Sequence, residues 1–232
     1  MKVFVGTSGW YYEWNREKSL DWYLANSGLN AVELNASFFR FPFPNQVKSW
    51  AVKGKSLRWV IKANRLITHR YKFSEKALET WHRFADLFSG MSGLIKFFLF
   101  QLPPSITTDA KDKIASFIEK TKKVDKCALE PRHDSWFNTE MISWAKSIGL
   151  TWVSVDAPKF TRDIIRTTDS VYLRMHGRTD WYKHDYKTNE LKGIAKRIVE
   201  AKPKSVYVFF NNDHNMLNNA QNMRRILGDL KV

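Results

Sequence analysis

Residues 126–136 read KCALEPRHDSW. A short apolar run leads directly into a carboxylate, a guanidinium and an imidazole, those of Glu130, Arg132 and His133. This pattern is typical of a buried parallel strand that ends at a polar cleft. It predicts a strand over residues 126–130 whose carboxyl end contributes to a binding site.

The same pattern recurs along the chain, with helix-like segments between the apolar runs. The predicted strands are residues 2–6, 31–34, 57–62, 95–100, 126–130, 151–155, 170–175 and 205–210. Alternating strands and helices are the mark of βαβ units, and eight of them predict an α/β fold, a TIM-like (β/α)8 barrel. Residues 156–168 lack an amphipathic period, so we expect the barrel to be irregular around the sixth helix.

Two of the connecting segments place apolar residues at helical spacing, which predicts core-facing helices. The first stripe is Ala77, Trp81, Phe84, Ala85 and Phe88, and the second is Ile114, Phe117, Ile118 and Thr121. The chain contains no fixed-period repeat or Gly/Ser linker that would divide it. We therefore expect residues 1–232 to form a single TIM-like barrel domain.

The chain is strongly basic, with a formal net charge of +15. Such a surplus attracts polyanions, although a lysine-rich surface also serves solubility. No leader and no long apolar run is apparent, which predicts a cytoplasmic protein without a membrane partner. The single cysteine, Cys127, excludes an internal disulfide and a cysteine-based zinc cluster. Oligomeric state is not encoded in any pattern of the sequence.

In a parallel barrel, the loops that follow the strands gather on one face, which carries the active site in nearly all characterised cases. Arginine side chains there suit an oxyanion, because a guanidinium pairs with two oxygens at once. The residues expected to bind substrate are Thr7, Ser8, Trp10, Asn35, Lys62, Arg132, Asp156, Arg174, Asn211 and Asn212. We expect Glu130 or Glu33 to activate water as a base and His176 or His133 to protonate the leaving oxygen.

Each of these roles has a structural alternative. A carboxylate at a strand end often pairs with an arginine for stability, and a histidine often hydrogen-bonds a carboxylate. The histidines and carboxylates could surround a divalent metal, but no fixed metal-ligand spacing supports one, so no metal ligand is assigned and the cofactor stays open. The residues of this alternative are His133, His176, His214, Glu33, Glu130 and Asp156. Aromatic residues in the predicted loops either stack on bases or sugars or pack against the barrel rim. They are Trp10, Tyr11, Phe38, Phe39, Trp136, Trp181, Tyr182 and Tyr186.

Seven ordered motifs resemble the family called domain of unknown function 72 and cover nearly the whole chain. They begin at Gly6 (GTSGW), Val32 (VELN, followed by Phe38), Ile67 (ITH), Gln101 (QLPP), Glu130 (EPRH, followed by SW), Tyr172 (YLRMHG) and Phe210 (FNN). The resemblance implies a TIM-like barrel whose strand-end residues line a cleft, similar in fold to endonuclease IV-type barrels. It implies no reaction, because one fold hosts many activities.

Three functions follow as hypotheses. The first is binding of a phosphate-bearing ligand at the carboxyl-terminal barrel face, with hydrolysis of a phosphoester in nucleic acid. The second is a nucleic-acid-binding protein without catalysis, in which loop aromatics stack on bases. The third is an enzyme acting on a small sugar or carboxylate, in which the excess charge is incidental.

Overall fold

Eight parallel strands close into a barrel in the computed structural model, which describes residues 1–230, and each strand pairs with its neighbours in chain order. They are β1 (Lys2–Thr7), β2 (Ala31–Leu34), β3 (Arg58–Lys62), β4 (Ile95–Gln101), β5 (Cys127–Glu130), β6 (Thr151–Asp156), β7 (Ser170–Met175) and β8 (Ser205–Phe210). The TIM-like barrel and all eight predicted strands are confirmed, and their bounds differ by at most one residue at either end. A single domain over residues 1–232 stays a prediction, and its last two residues lie outside the described ones.

Seven α-helices surround the barrel in the described part of the chain. They are α1 (Leu20–Asn26), α2 (Pro44–Lys53), α3 (Glu75–Leu87), α4 (Lys111–Lys120), α5 (Thr139–Ser147), α6 (Thr188–Glu200) and α7 (Met216–Asp229). Side chains of Ser19, Ser74 and Asn138 accept hydrogen bonds from the first turns of α1, α3 and α5, which fixes where these helices begin. Over residues 1–230, none of these helices combines the length and apolar character that crossing a bilayer requires.

The connection between β6 and β7 contains no α-helix, as predicted. Hydroxyl groups replace the helix there: Ser154 Oγ accepts from the Ile165 amide at 2.9 Å, and Thr167 Oγ1 accepts from the Trp152 amide at 2.8 Å. The returning chain is thus held against β6 by side-chain hydrogen bonds.

Both predicted helical stripes pack against the core, and all of their residues except the half-buried Ala85 are buried. Trp81 and Phe84 are completely enclosed between α3 and the barrel, and Ile114 is enclosed beneath α4. Close approach of two strands depends on Gly6, because a Cβ atom there would lie 2.1 Å from the carbonyl oxygen of Ala31 on β2. The glycine thus permits β1 and β2 to pair at the register Gly6 to Ala31.

The barrel interior is a separate apolar cluster, built from alternate residues of the strands. Its members are Ala31, Val60, Phe97, Leu99, Ala128, Val153, Tyr172, Tyr207 and Phe209, with Phe4 packed against them. Because side chains alternate across a strand, the residue two positions beyond each of these also faces the barrel axis. This periodicity determines which strand-end residues meet at the carboxyl-terminal mouth.

Candidate active site at the barrel mouth

The inward-facing row continues past the apolar cluster into polar residues. Glu33, Lys62, Glu130 and Arg174 each lie two positions beyond an interior apolar residue of β2, β3, β5 or β7, and all four are buried. They form a polar layer above the apolar interior, which we call the polar centre. The structure therefore brings together four of the residues that the sequence predicted for this face.

Glu33 is held by three neighbours at the polar centre. Arg174 donates to both of its carboxylate oxygens, from Nε at 2.9 Å and from Nη2 at 2.6 Å. Ser8 Oγ donates at 2.7 Å and Tyr172 Oη at 2.5 Å. Each oxygen of this enclosed carboxylate therefore accepts two hydrogen bonds.

Glu130 lies on the other side of Arg174 and joins it to Arg132. Arg174 Nη1 donates to Glu130 Oε2 at 2.6 Å, and Arg132 Nε donates to Oε1 at 2.5 Å. Burial alone would raise the pKa of Glu130, but Arg132, Arg174 and Lys62 outweigh that effect and hold the pKa below its usual value. Glu130 is therefore ionised at neutral pH and engaged by two guanidinium groups.

Lys62 differs from Arg132 and Arg174 because, among residues 1–230, it forms no ion pair with a carboxylate. Its side chain is buried, its Nζ lies 4.2 Å from the centre of the Phe38 ring, and no hydrogen bond or ion pair within residues 1–230 involves that nitrogen. Burial, followed by the charge of Arg174, lowers the pKa of Lys62 to about 7 against the opposing effect of Glu130 and Glu33. The amine therefore exchanges its proton near neutral pH.

His176 faces the same cluster from the end of β7. Burial, followed by the charges of Arg174 and Arg132, holds the pKa of His176 well below its usual value. The ring is therefore neutral, and Nε2 accepts from Arg132 Nη2 at 3.2 Å and Arg174 Nη1 at 3.3 Å. The predicted role of His176 as proton donor stays a prediction, while Lys62 has the pKa that such a donor needs.

Three predicted substrate ligands lie away from the polar centre, because they occupy the outward-facing positions of their strands. Thr7 Oγ1 is hydrogen-bonded to Gly9 O at 2.6 Å. Asp156 accepts from Tyr186 Oη at 2.8 Å and pairs with the guanidinium of Arg178. Asn212 Nδ2 donates to the Asn219 carboxamide of α7 at 2.7 Å. These side chains hold the surrounding loops in place.

The remaining predicted residues lie around the polar centre. Asn211 contacts His176 Nδ1 through its amide nitrogen at 3.3 Å. His133 Nδ1 accepts from the Ser135 backbone amide at 3.2 Å and so caps the turn that follows β5. Trp10 and Asn35 line a pocket beside Ser8. The catalytic and binding roles predicted for all of these residues stay predictions.

The loop aromatics divide into two groups. Trp136 and Tyr186 are buried and pack within the protein, with Trp136 Nε1 donating to the Ile106 carbonyl at 2.9 Å. Tyr11, Phe39 and Tyr182 are exposed. The others are half-buried, and they are Trp10, Phe38 and Trp181. The Trp181 ring lies 4.8 Å from the Arg132 guanidinium, a cation–π contact that orients this arginine at the mouth.

Tyr172 is a member of the site that the sequence reasoning did not select. It lies two residues before Arg174 on β7 and therefore faces the same way, so strand periodicity could have found it. Its hydroxyl donates to Glu33 at the centre of the barrel. Contact with this carboxylate, after burial, raises the pKa of Tyr172 well above its usual value and keeps the phenol protonated.

Replacement of Tyr172 by phenylalanine is expected to lower the free energy of unfolding by about 1–3 kcal/mol, because a buried carboxylate loses one donor. Urea unfolding measures this change. Tyr207→Phe is the matched control, since Tyr207 is the register partner on β8 and its hydroxyl does not contact Glu33. Equal losses in the two variants would show that the Tyr172 hydroxyl contributes nothing specific.

No metal-ligand cluster accompanies these carboxylates. Over residues 1–230, histidine, cysteine, aspartate and glutamate form no group of three or more that could hold a metal ion. Glu33 and Glu130 are each bound by arginine instead.

The family described as Protein of unknown function DUF72 matches residues 4–232. The chain belongs to this family. A crystal structure of a DUF72 family protein from Thermotoga maritima is 27% identical, with a TM-score of 0.79 and complete coverage of both chains. Another, from Enterococcus faecalis, is 20% identical with a TM-score of 0.85, covering 97% of this chain and 95% of that one. A comparison with the curated proteins gives no match.

More distant structures share the barrel without close sequence similarity. D-psicose 3-epimerase from Clostridium cellulolyticum, solved with D-tagatose, is 11% identical with a TM-score of 0.55, covering 99% of this chain and 96% of that one. At this identity the likeness concerns the fold alone. It confirms that the DUF72 chain has the architecture of TIM-barrel enzymes.

Proposed function

We propose that the polar centre of this DUF72 protein binds a phosphate-bearing ligand, with the oxyanion between Lys62 and Arg132. One observation carries the proposal. Arg132 and Arg174 balance the two carboxylates of Glu33 and Glu130, while Lys62 has no ion-pair partner within residues 1–230. Protonated Lys62 therefore leaves the mouth with an uncompensated positive charge, which an anion would neutralise.

The reaction proposed for this site is hydrolysis of a phosphoester. Water oxygen adds to phosphorus, the bond from phosphorus to the leaving oxygen breaks, and that oxygen takes a proton from the Lys62 ammonium. A proton of the attacking water then restores the ammonium, so the charges balance over the cycle. Arg132 stabilises the charge on the phosphoryl oxygens.

The excess charge of the chain favours nucleic acid as the source of the phosphate. A formal net charge of +15 attracts a polyanion over long distances. The exposed rings of Tyr11, Phe39 and Tyr182 also suit a second candidate function, binding of single-stranded nucleic acid without catalysis. The distant sugar epimerase shares only the fold, so a sugar substrate has no support from a specific contact.

Oxyanion binding is tested by isothermal titration with sulfate, which does not itself gain a proton between pH 6 and 9. The protonated Lys62 amine binds the anion, and its pKa in the free protein is about 7. We expect affinity to be constant below that pH and to fall about tenfold per pH unit above it. A proton should be taken up on binding near pH 8, which titrations in buffers of different ionisation enthalpy reveal.

The protein is also titrated with inorganic phosphate and assayed for hydrolysis of bis(4-nitrophenyl) phosphate. Release of nitrophenolate supports the hydrolase, whereas anion binding without product supports the non-catalytic alternative. Failure of both sulfate and phosphate to bind at pH 6, where Lys62 is charged, would remove the proposal. Affinity that shows no change between pH 6 and 9 would assign the anion to arginine rather than to Lys62.

A further inference from the structure

A pocket of about 570 Å³ opens beside the polar centre, between the loops that follow β1 and β2. Its wall includes the aromatic rings of Trp10, Tyr11, Tyr12, Phe39 and Trp50. This volume lies within the range of small-molecule sites, and so many rings around one cavity favour a flat ligand group. The sequence reasoning placed Trp10 at the barrel face without defining such a pocket.

We propose that this pocket binds the planar base of a nucleotide-like ligand whose phosphate lies at the polar centre. The inference rests on the proposed function, because it assigns the second half of the same ligand. The shared chemistry is a heteroaromatic ring joined to a phosphate through a sugar. A free nucleotide and one unit of a single-stranded nucleic acid both supply it.

The floor of the pocket is rigid and its rim is open. Trp10 packs edge-on against Trp50 at 5.8 Å and against Trp59 at 5.9 Å, which fixes its orientation. Tyr11 and Phe39 at the rim are 73% and 63% exposed, so their rings are free to cover a ligand. Fixed rings below and uncovered rings above form a stacking site that requires little ordering when it binds.

Polar groups within the pocket suit the edge of a base. The carboxamide oxygen of Asn35 is enclosed and has no hydrogen-bond partner within residues 1–230. Arg40 and Gln46 also line the cavity. Carboxamide and guanidinium groups at a pocket wall are suited to hydrogen-bond the edge of a nucleobase.

Two contacts connect the pocket to the polar centre. Ser8 lines the pocket, and its hydroxyl donates to Glu33 at 2.7 Å. On the β2 side, the Phe38 ring lies beneath Lys62 Nζ and packs against Phe39 at 5.1 Å between ring centroids. Ser8 and Phe38 thus place the aromatic wall next to the polar centre, as a ligand that carries both a ring and a phosphate requires.

The test compares adenosine 5′-monophosphate, ribose 5-phosphate, adenosine and sulfate by isothermal titration at pH 6. We expect the monophosphate to bind at least tenfold more tightly than ribose 5-phosphate, because only the former stacks. Phe39→Ala should remove about tenfold of the affinity for the monophosphate and leave ribose 5-phosphate unchanged. Phe43→Ala is the matched control, since Phe43 is equally exposed, at 68%, and does not line the pocket.

The outcomes separate this inference from the proposed function. Equal affinity for the monophosphate and ribose 5-phosphate, with sulfate bound, overturns the ring pocket and leaves the oxyanion site standing. Binding of adenosine without sulfate supports the pocket and overturns the oxyanion site. Loss of monophosphate affinity in Phe43→Ala but not in Phe39→Ala also overturns the pocket. A trinucleotide that binds more tightly than the monophosphate identifies nucleic acid as the source, whereas equal affinity identifies a free nucleotide.

Discussion

Replacement of Arg174 by methionine is expected to lower the free energy of unfolding by about 3–5 kcal/mol, the cost of breaking a buried ion pair from one side. Arg174 is completely buried and makes ion pairs with both Glu33 and Glu130. Methionine fills much of the same volume, so the loss reports the two buried carboxylates that are left without their common partner. Urea unfolding at pH 8 measures it.

The pH dependence of Arg174→Met provides a second readout. In the wild type, the lowered pKa of Glu130 contributes stability above the carboxyl's unfolded pKa, and this contribution is lost as the pH falls through the folded value. Loss of Arg174 removes one of the charges that oppose the burial of Glu130, so the pKa of Glu130 rises and this carboxylate accepts a proton at higher pH than in the wild type. The variant's deficit should therefore shrink between pH 8 and pH 5.

Two further variants test whether the loss of stability comes from the ion pairs of Arg174. Arg58→Met is the matched control, because Arg58 begins β3 at the opposite end of the barrel and donates to the Gly93 carbonyl at the surface. We expect it to change stability by less than about 1 kcal/mol. Addition of Glu33→Gln and Glu130→Gln to Arg174→Met should recover part of the loss. A deficit that is unchanged by these amides, or equal in Arg58→Met, would contradict the ion-pair explanation.

The strands were predictable because the apolar runs of a parallel barrel end where the polar mouth begins. β6 and β7, for example, are buried along their whole length, so Thr151–Asp156 and Ser170–Met175 stand out from the polar segments around them. The same continuous burial hid a second feature. When both faces of a strand are buried, the sequence does not show which alternate residues face the barrel axis.

The direction in which each residue faces explains which predicted ligands lie at the polar centre. Glu130 and Arg174 occupy inward-facing positions of their strands. Asp156 and Thr7 occupy outward-facing positions and bind neighbouring loop residues. A neighbouring apolar residue known to face the axis, such as Ala128 for Glu130, would have separated the two groups. The facing direction is set by closure of the barrel, which is a property of all eight strands together.

Pairing and protonation could not be predicted, because they depend on residues far apart in the chain. Arg174 meets Glu33 across 141 positions and Glu130 across 44. The neutrality of His176 depends on burial and on three cations from three different strand ends. A histidine at a strand end suggests a proton donor, but only the assembled charges show that Lys62 has the suitable pKa.

Replacement of Lys62 by methionine is expected to stabilise the protein and abolish oxyanion binding. The pKa of Lys62 is about 7 in the folded protein, whereas an unfolded lysine has a pKa of about 10.4. Keeping the amine in the barrel below pH 7 therefore costs on the order of 3–5 kcal/mol. Methionine has a similar length and no charge to desolvate, so the variant avoids this cost.

The direction of the pH dependence of stability follows from the number of protons that the folded and unfolded states bind at Lys62. Between pH 7 and about 10.4 the unfolded wild type holds more protons at this lysine than the folded protein, so wild-type stability rises with pH across that window. Lys62→Met lacks this slope. The variant's excess free energy of unfolding over the wild type should be greatest below pH 7 and vanish toward pH 10. Urea unfolding between pH 6 and pH 9.5 measures it.

Lys96→Met is the matched control, because it makes the same lysine-to-methionine change away from the site. Lys96 also lies in a strand beside a phenylalanine ring, with Nζ 4.9 Å from Phe97, but it stands at the opposite end of β4 from the mouth. We expect Lys96→Met to keep sulfate affinity within twofold, whereas Lys62→Met should lose at least a hundredfold, because the uncompensated charge is removed. Gained stability with lost binding is the pattern of a residue retained for function at a cost to the fold. A Lys62→Met protein that loses stability at pH 6, or that binds sulfate as the wild type does, would assign Lys62 to structure and leave the anion to Arg132.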